Sequence, residues 1–253
     1  MVGAQERLVE GTLISHLVEL RQRLIKAILA IAVVFLCMAP FAAQIFDWVA
    51  EPLTAVLPTG SSLVAIGIAS PFTTPFKTTF YVALFAAMPV VLYQAWRFVA
   101  PGLYRRERRF AVPLLASSIL LFYLGVAFAY LIVVRMAFSF LIGVTPENVI
   151  NLPDINEYLS FVLGLFLAFG LAFEVPIATL ILVWSGLAKV ESLKKARPYV
   201  LIGAFAIAMP LTPPEVISQI TLAVPMYVLY ELGIVLAGVL VPVSTAAPEI
   251  QRE

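Results

Sequence analysis

The chain has 253 residues, of which 62% are hydrophobic and 12% charged; its net charge is +1 and its mean hydropathy +1.02. Soluble domains carry about 25% charged residues, so half that density cannot clothe a water-soluble body of this size, and lipid must surround most of the chain. One cysteine, Cys37, and one histidine, His16, exclude a disulfide framework and a Cys/His metal cluster, and no metal or cofactor is expected.

In chain order, residues 12–26 read as an amphipathic helix: Leu13, Leu17, Leu20 and Leu24 share one side, and Ser15, Glu19, Gln22 and Lys26 the other. It runs into a first apolar stretch that is too long for a signal-peptide core and is expected to stay as a span. A helix needs about 20 apolar residues to cross a ~30 Å hydrocarbon core. On that measure the chain is a single polytopic membrane domain over 1–253, all-α, with six transmembrane helices at 24–46, 76–99, 112–142, 158–184, 199–211 and 216–237. Loops 47–75, 143–157 and 212–215 fall on one face, and the first of these is expected to form a cap. The fifth span is short, and Thr212-Pro213-Pro214-Glu215 makes a tight hairpin to the sixth, because consecutive prolines end a helix. Local membrane thinning around that hairpin follows as an expectation. Pro89, Pro113, Pro176 and Pro225 should bend their spans into a curved bundle. Trp48, Trp96 and Trp184 fall near span ends, as interfacial tryptophans do.

Charge fixes the expected orientation. Fourteen of the sixteen basic residues precede the first span, lie in the 2–3 and 4–5 connections, or end the chain; only Lys77 and Arg135 lie on the other side. The positive-inside rule then places both termini in the cytoplasm.

Few polar residues are candidates for function. Glu19 and Arg23 stand at i, i+4, the spacing of an internal surface ion pair, and residue chemistry alone puts that reading first. Glu107 is one carboxylate among Arg105, Arg106, Arg108 and Arg109. It either softens a topogenic cluster or offers an acceptor to an arginine-bearing ligand, and the residues alone leave both open. Glu174 lies within the fourth span, where insertion costs roughly 2.5–3.5 kcal/mol; a bundle-holding hydrogen-bonded acid and a polar feature for a ligand are equally compatible with it. Gln94 and Gln219 are cheaper polar groups able to bond across helices. The sequence contains no P-loop, serine-elbow or zinc-protease motif, so an enzyme is not expected. A secondary transporter using Glu174 is the alternative from another class, and the lack of internal repeats counts against it.

A resemblance sharpens these choices. Ser15-His16-Leu17-Val18-Glu19-Leu20-Arg21-Gln22-Arg23-Leu24 resembles the N-terminal signature of TatC, the large subunit of the twin-arginine protein translocase. Ser70-Pro71-Phe72-Thr73-Thr74-Pro75-Phe76-Lys77, Tyr93-Gln94-Ala95-Trp96-Arg97-Phe98-Val99-Ala100-Pro101-Gly102-Leu103-Tyr104, Glu107-Arg108-Arg109, Phe169-Gly170-Leu171-Ala172-Phe173-Glu174-Val175-Pro176 and Leu211-Thr212-Pro213-Pro214-Glu215 are similar to its later motifs, in the same order. The resemblance implies a receptor for twin-arginine signal peptides on folded cargo, in a prokaryotic cytoplasmic membrane, driven by the proton-motive force. It implies TatA- and TatB-type single-span partners, self-association in the lipid bilayer, and no nucleic acid. It assigns signal-peptide binding to Glu19 and Glu107 with Arg21, Phe98, Pro101 and Leu103, and an intramembrane polar role to Glu174 and Gln94. Partner-helix contact falls to Met209, Thr212 and Gln219, and outer-loop assembly to Pro52 and Phe72.

Overall fold

The computed structural model describes residues 2–54, 64–99, 111–144, 154–209 and 216–240, and almost all of these are helical. Among the described residues nine α-helices follow one another: α1 (Val2–Met38), α2 (Ala42–Thr54), α3 (Ser70–Val99), α4 (Ala111–Phe128), α5 (Val134–Val144), α6 (Ile155–Ala172), α7 (Val175–Trp184), α8 (Val190–Ala208) and α9 (Val216–Leu240). Several pairs are one span interrupted by a local defect. Among the described residues, five stretches are long and apolar enough to cross a membrane: Leu17–Ala50, Ser70–Phe98, Val112–Phe138, Ile155–Trp184 and Gln219–Leu240. The helix of the expected fifth span, α8, is not. Its first turns carry Lys194, Lys195 and Arg197, and the apolar part from Tyr199 to Ala208 measures roughly 15 Å at 1.5 Å per residue.

The defects were only partly legible in the sequence. A 3-10 turn at Ala39–Phe41, with Pro40 in its first positions, separates α1 from α2. The helix then continues to Thr54, so the expected 47–75 loop begins helical, because Gln44 to Glu51 lack any breaker once Pro40 has been passed. At its other end the loop closes early: α3 starts at Ser70, with the Phe72 and Thr73 amides both donating to the Ala69 carbonyl. The third span contains one π-helical turn, Ala129–Val133, between α4 and α5. Pro113 does not bend that span. It lies in the first turn of α4, where its missing N–H has no partner to lose. Pro176, by contrast, breaks the fourth span: Phe173 and Glu174 form a turn between α6 and α7, because the pyrrolidine cannot donate to the preceding turn. Pro89, Pro198 and Pro225 stand inside α3, α8 and α9.

The helices pack in a row. α1 and α2 lie on α3, α3 on α4 and α6, α4 on α6, α7 on α9, and α8 on α9. The largest buried cluster joins the π turn and α5 to α6 through Val133, Phe138, Leu159, Leu163 and Phe169. Between lipid-exposed helices the hydrophobic effect gives no net pull, so close backbone approach takes its place. A Cβ on Gly125 of α4 would meet the Phe169 carbonyl oxygen at 2.5 Å, and one on Gly170 of α6 would meet the Phe122 ring at 2.6 Å. On α9, Gly233 faces Pro176 and Thr179 of α7 in the same manner. Trp96 stands near the end of α3, as expected, but turned into the protein. It is 7% exposed, because its indole N–H finds the Ser118 hydroxyl at 3.1 Å, whereas Trp48 is 72% exposed.

Candidate functional site

Two polar constellations sit on this frame. The first lies where α1 passes the C-terminal end of α3. The Glu19 carboxylate accepts from the Arg23 guanidinium at 2.8 Å, one turn along α1. Arg23 also reaches Gln94 Oε1 of α3 at 3.5 Å. The arginine is the more buried partner, 16% exposed against 34% for Glu19. The expected i, i+4 pair therefore forms, and it doubles as a bridge between two helices through Gln94, a link that the sequence did not show. Phe98 stands one turn beyond Gln94 on α3, half-buried. Arg21 is exposed, and a residue two positions from Glu19 does not share its helix face. Glu107, Pro101 and Leu103 lie outside the described residues.

The second constellation is at the broken fourth span. Glu174 is the residue just before α7, held by its own amide donating to the Leu171 carbonyl at 3.1 Å and its carbonyl accepting from the Ala178 amide at 2.8 Å. Its side chain lies beside Ser118 of α4, and the buried Oε1 has no hydrogen-bond partner among the described residues. Ser118, fully buried, in turn accepts from the Trp96 indole. Trp96, Ser118 and Glu174 thus connect α3, α4 and the α6–α7 break in one line. In the sequence Glu174 reads as an isolated intramembrane acid, and Ser118 is not legible there, since a lone serine in an apolar helix carries no signal of its own.

The remaining expected residues are dispersed. Met209 caps α8 and is 63% exposed, and Gln219 lies half-buried in α9; Thr212 is outside the described residues. Phe72 is 70% exposed and packs on Phe76 with ring centroids 5.1 Å apart. Pro52 lies in α2, and its side chain is outside the described residues. A further ion pair, Arg197–Glu231 at 2.6 Å, ties the start of α8 to α9, and Tyr230 of α9 adds a bond to the Leu193 carbonyl at 2.7 Å.

The order of these features along the chain is that of a known family, and the family described as "Sec-independent protein translocase protein (TatC)" matches residues 15–225. The chain belongs to the TatC family. The TatC of Escherichia coli K12 is 54% identical over 228 residues, covering 89% of this chain and 88% of that protein. That of Azotobacter chroococcum is 53% identical over 222 residues, covering 88% and 87%. A crystal structure described as a twin arginine translocase receptor, TatC, superposes with a TM-score of 0.81 at 38% identity, covering 88% of this chain and 98% of that one. Membership of the TatC family makes the chain a multi-pass membrane component of a protein translocase, working with other subunits of that system, and not an enzyme.

Proposed function

We propose that this TatC-family chain is the twin-arginine signal-peptide receptor and core subunit of a translocase that exports folded proteins across a prokaryotic cytoplasmic membrane, energised by the proton-motive force. The observation that carries the reading is the Glu19 carboxylate: partly exposed at the membrane boundary and held by one local guanidinium. A group already paired with an arginine has the acceptor geometry that an incoming arginine needs, and a partly exposed i, i+4 pair is weak enough to exchange. Glu107 is the second acceptor, with Arg21, Phe98, Pro101 and Leu103 shaping the surface beside it. The charge segregation of the sequence puts this surface, and both termini, on the cytoplasmic side.

TatA- and TatB-type single-span helices dock along α8 and α9, where Met209 is exposed and Gln219 is half-buried. Pro52 and Phe72 serve self-association on the opposite face. Site-specific photo-cross-linking to a twin-arginine peptide tests the central assignment. Glu19→Ala and Glu107→Ala should each weaken capture with membrane insertion intact; normal capture by the double variant refutes it.

A further inference from the structure

At the end of α3 away from Glu19, helices α2, α3 and α6 meet around a cavity of about 260 Å³. Phe46, Pro71, Pro75 and Ile155 supply apolar walls, and three polar residues, Asp47, Ser70 and Thr74, also line it. Thr74 is 2% exposed and its hydroxyl has no hydrogen-bond partner among the described residues. Thr78 on the same helix is likewise buried without a partner but does not line the cavity, whereas Thr73 and Thr79 return their hydroxyls to carbonyls four residues back, at 3.0 and 2.8 Å. A buried hydroxyl left unpartnered is costly, so the Thr74 oxygen calls for a polar group in the cavity.

Charge says which kind. Asp47 makes no ion pair among the described residues. Lys77, three positions beyond Thr74 and so on the same side of α3, bonds among the described residues only to the neutral groups of Asn156 and Ser160 on α6. An uncompensated negative charge and an uncompensated positive one therefore flank an apolar hollow that contains an unused hydroxyl. The depth is that of the lipid headgroups: the neighbouring Trp48 and Phe72 are 72% and 70% exposed, as aromatic residues are where a span meets the interface. At this volume the cavity is smaller than the roughly 300–1,000 Å³ pockets that enclose drug-sized ligands, so it admits a headgroup while acyl chains stay in the bilayer.

We propose that this cavity binds the headgroup of an aminophospholipid, with its primary ammonium donating to Asp47 and to the Thr74 hydroxyl and its phosphate facing Lys77. A primary ammonium satisfies both acceptors. A choline nitrogen carries no N–H, and a glycerol headgroup carries no cation to meet Asp47.

The test is native mass spectrometry of the full chain, delipidated in mild detergent and offered phosphatidylethanolamine, phosphatidylcholine and phosphatidylglycerol with identical acyl chains at equal concentration. Ethanolamine adducts should exceed the other two about fivefold or more, and Asp47→Asn and Thr74→Val should each cut that preference to within about twofold. Thr74→Ser, which keeps the hydroxyl, and Arg135→Gln, an exposed cation away from the cavity, should both retain it. Equal retention of the three lipids overturns the proposal. So does an undiminished ethanolamine preference in Asp47→Asn or Thr74→Val protein with unchanged helical circular dichroism.

Discussion

Replacing Arg23 by glutamine asks whether the local ion pair guards Glu19 or equips it. Glutamine keeps most of the side-chain length and can still approach Gln94, but it removes the charge that holds Glu19 at 2.8 Å. An i, i+4 helix pair contributes about 0.3–0.5 kcal/mol, and partly buried geometry raises that to at most about 1 kcal/mol. A signal arginine displacing Arg23 recovers a charge-assisted bond of roughly 1.5–3 kcal/mol. If the pair is only a competitor, Arg23→Gln should tighten signal binding by about two- to fivefold at 1.4 kcal/mol per decade. Glu19→Gln, which removes the acceptor charge, should weaken binding by roughly 10- to 150-fold on the same scale. Fluorescence anisotropy of a labelled twin-arginine peptide against the protein in nanodiscs reads both, with a twin-lysine peptide as reference and ionic strength held fixed, because salt screens exposed pairs. Should Arg23→Gln lose as much affinity as Glu19→Gln, Arg23 is part of the binding geometry and the exchange argument is wrong.

Gly125→Ala should destabilise the protein by about 1–3 kcal/mol, because the new methyl meets the Phe169 carbonyl and the Gly170 Cα, backbone atoms that cannot step aside without separating α4 from α6. Gly203→Ala, with nothing within 4 Å, should instead gain about 0.5–1 kcal/mol from lower backbone entropy; SDS-titration unfolding compares the two, and equal effects would sink the close-approach argument. Ser118→Ala should cost about 1–3 kcal/mol by stranding the Trp96 N–H. Adding Trp96→Phe should then cost less than the sum of the single changes, a coupling that a double-mutant cycle detects or denies. Asp154 caps α6 and accepts from the Ile66 amide at 3.0 Å, and that bond first, with the capping bonds, holds its carboxyl below the usual carboxylate range. A depressed folded-state value stabilises above the unfolded pKa and is lost as pH falls through the folded one. Protection of the Ile66 and Asn156 amides relative to their intrinsic exchange rates should therefore fall in acid, and Asp154→Ala should lower it at neutral pH also. Slow exchange at both amides in the alanine variant contradicts the assignment.

Much of this protein was set by composition and pattern. Low charge density forces a lipid environment, apolar length gives the helices, and the i, i+4 spacing of Glu19 and Arg23 fixes their pairing before any tertiary contact forms. These are local properties, decided by the solvent and by neighbours in the chain. What the sequence left open was decided by atoms far apart along it. Pro176 announces a bend, but only the meeting of α4 with the α6–α7 break puts Ser118 beside Glu174, and only the packing of α3 on α4 buries Trp96 against Ser118. Gln94 could have bonded to any helix; packing of α1 on α3 chose Arg23. The cavity beside Asp47 exists because three helix ends meet there without filling the space. Inside a bilayer hydrophobicity no longer chooses between partners, so close backbone approach and a few hydrogen bonds select the arrangement, and a single sequence does not show which small or polar residues will face one another.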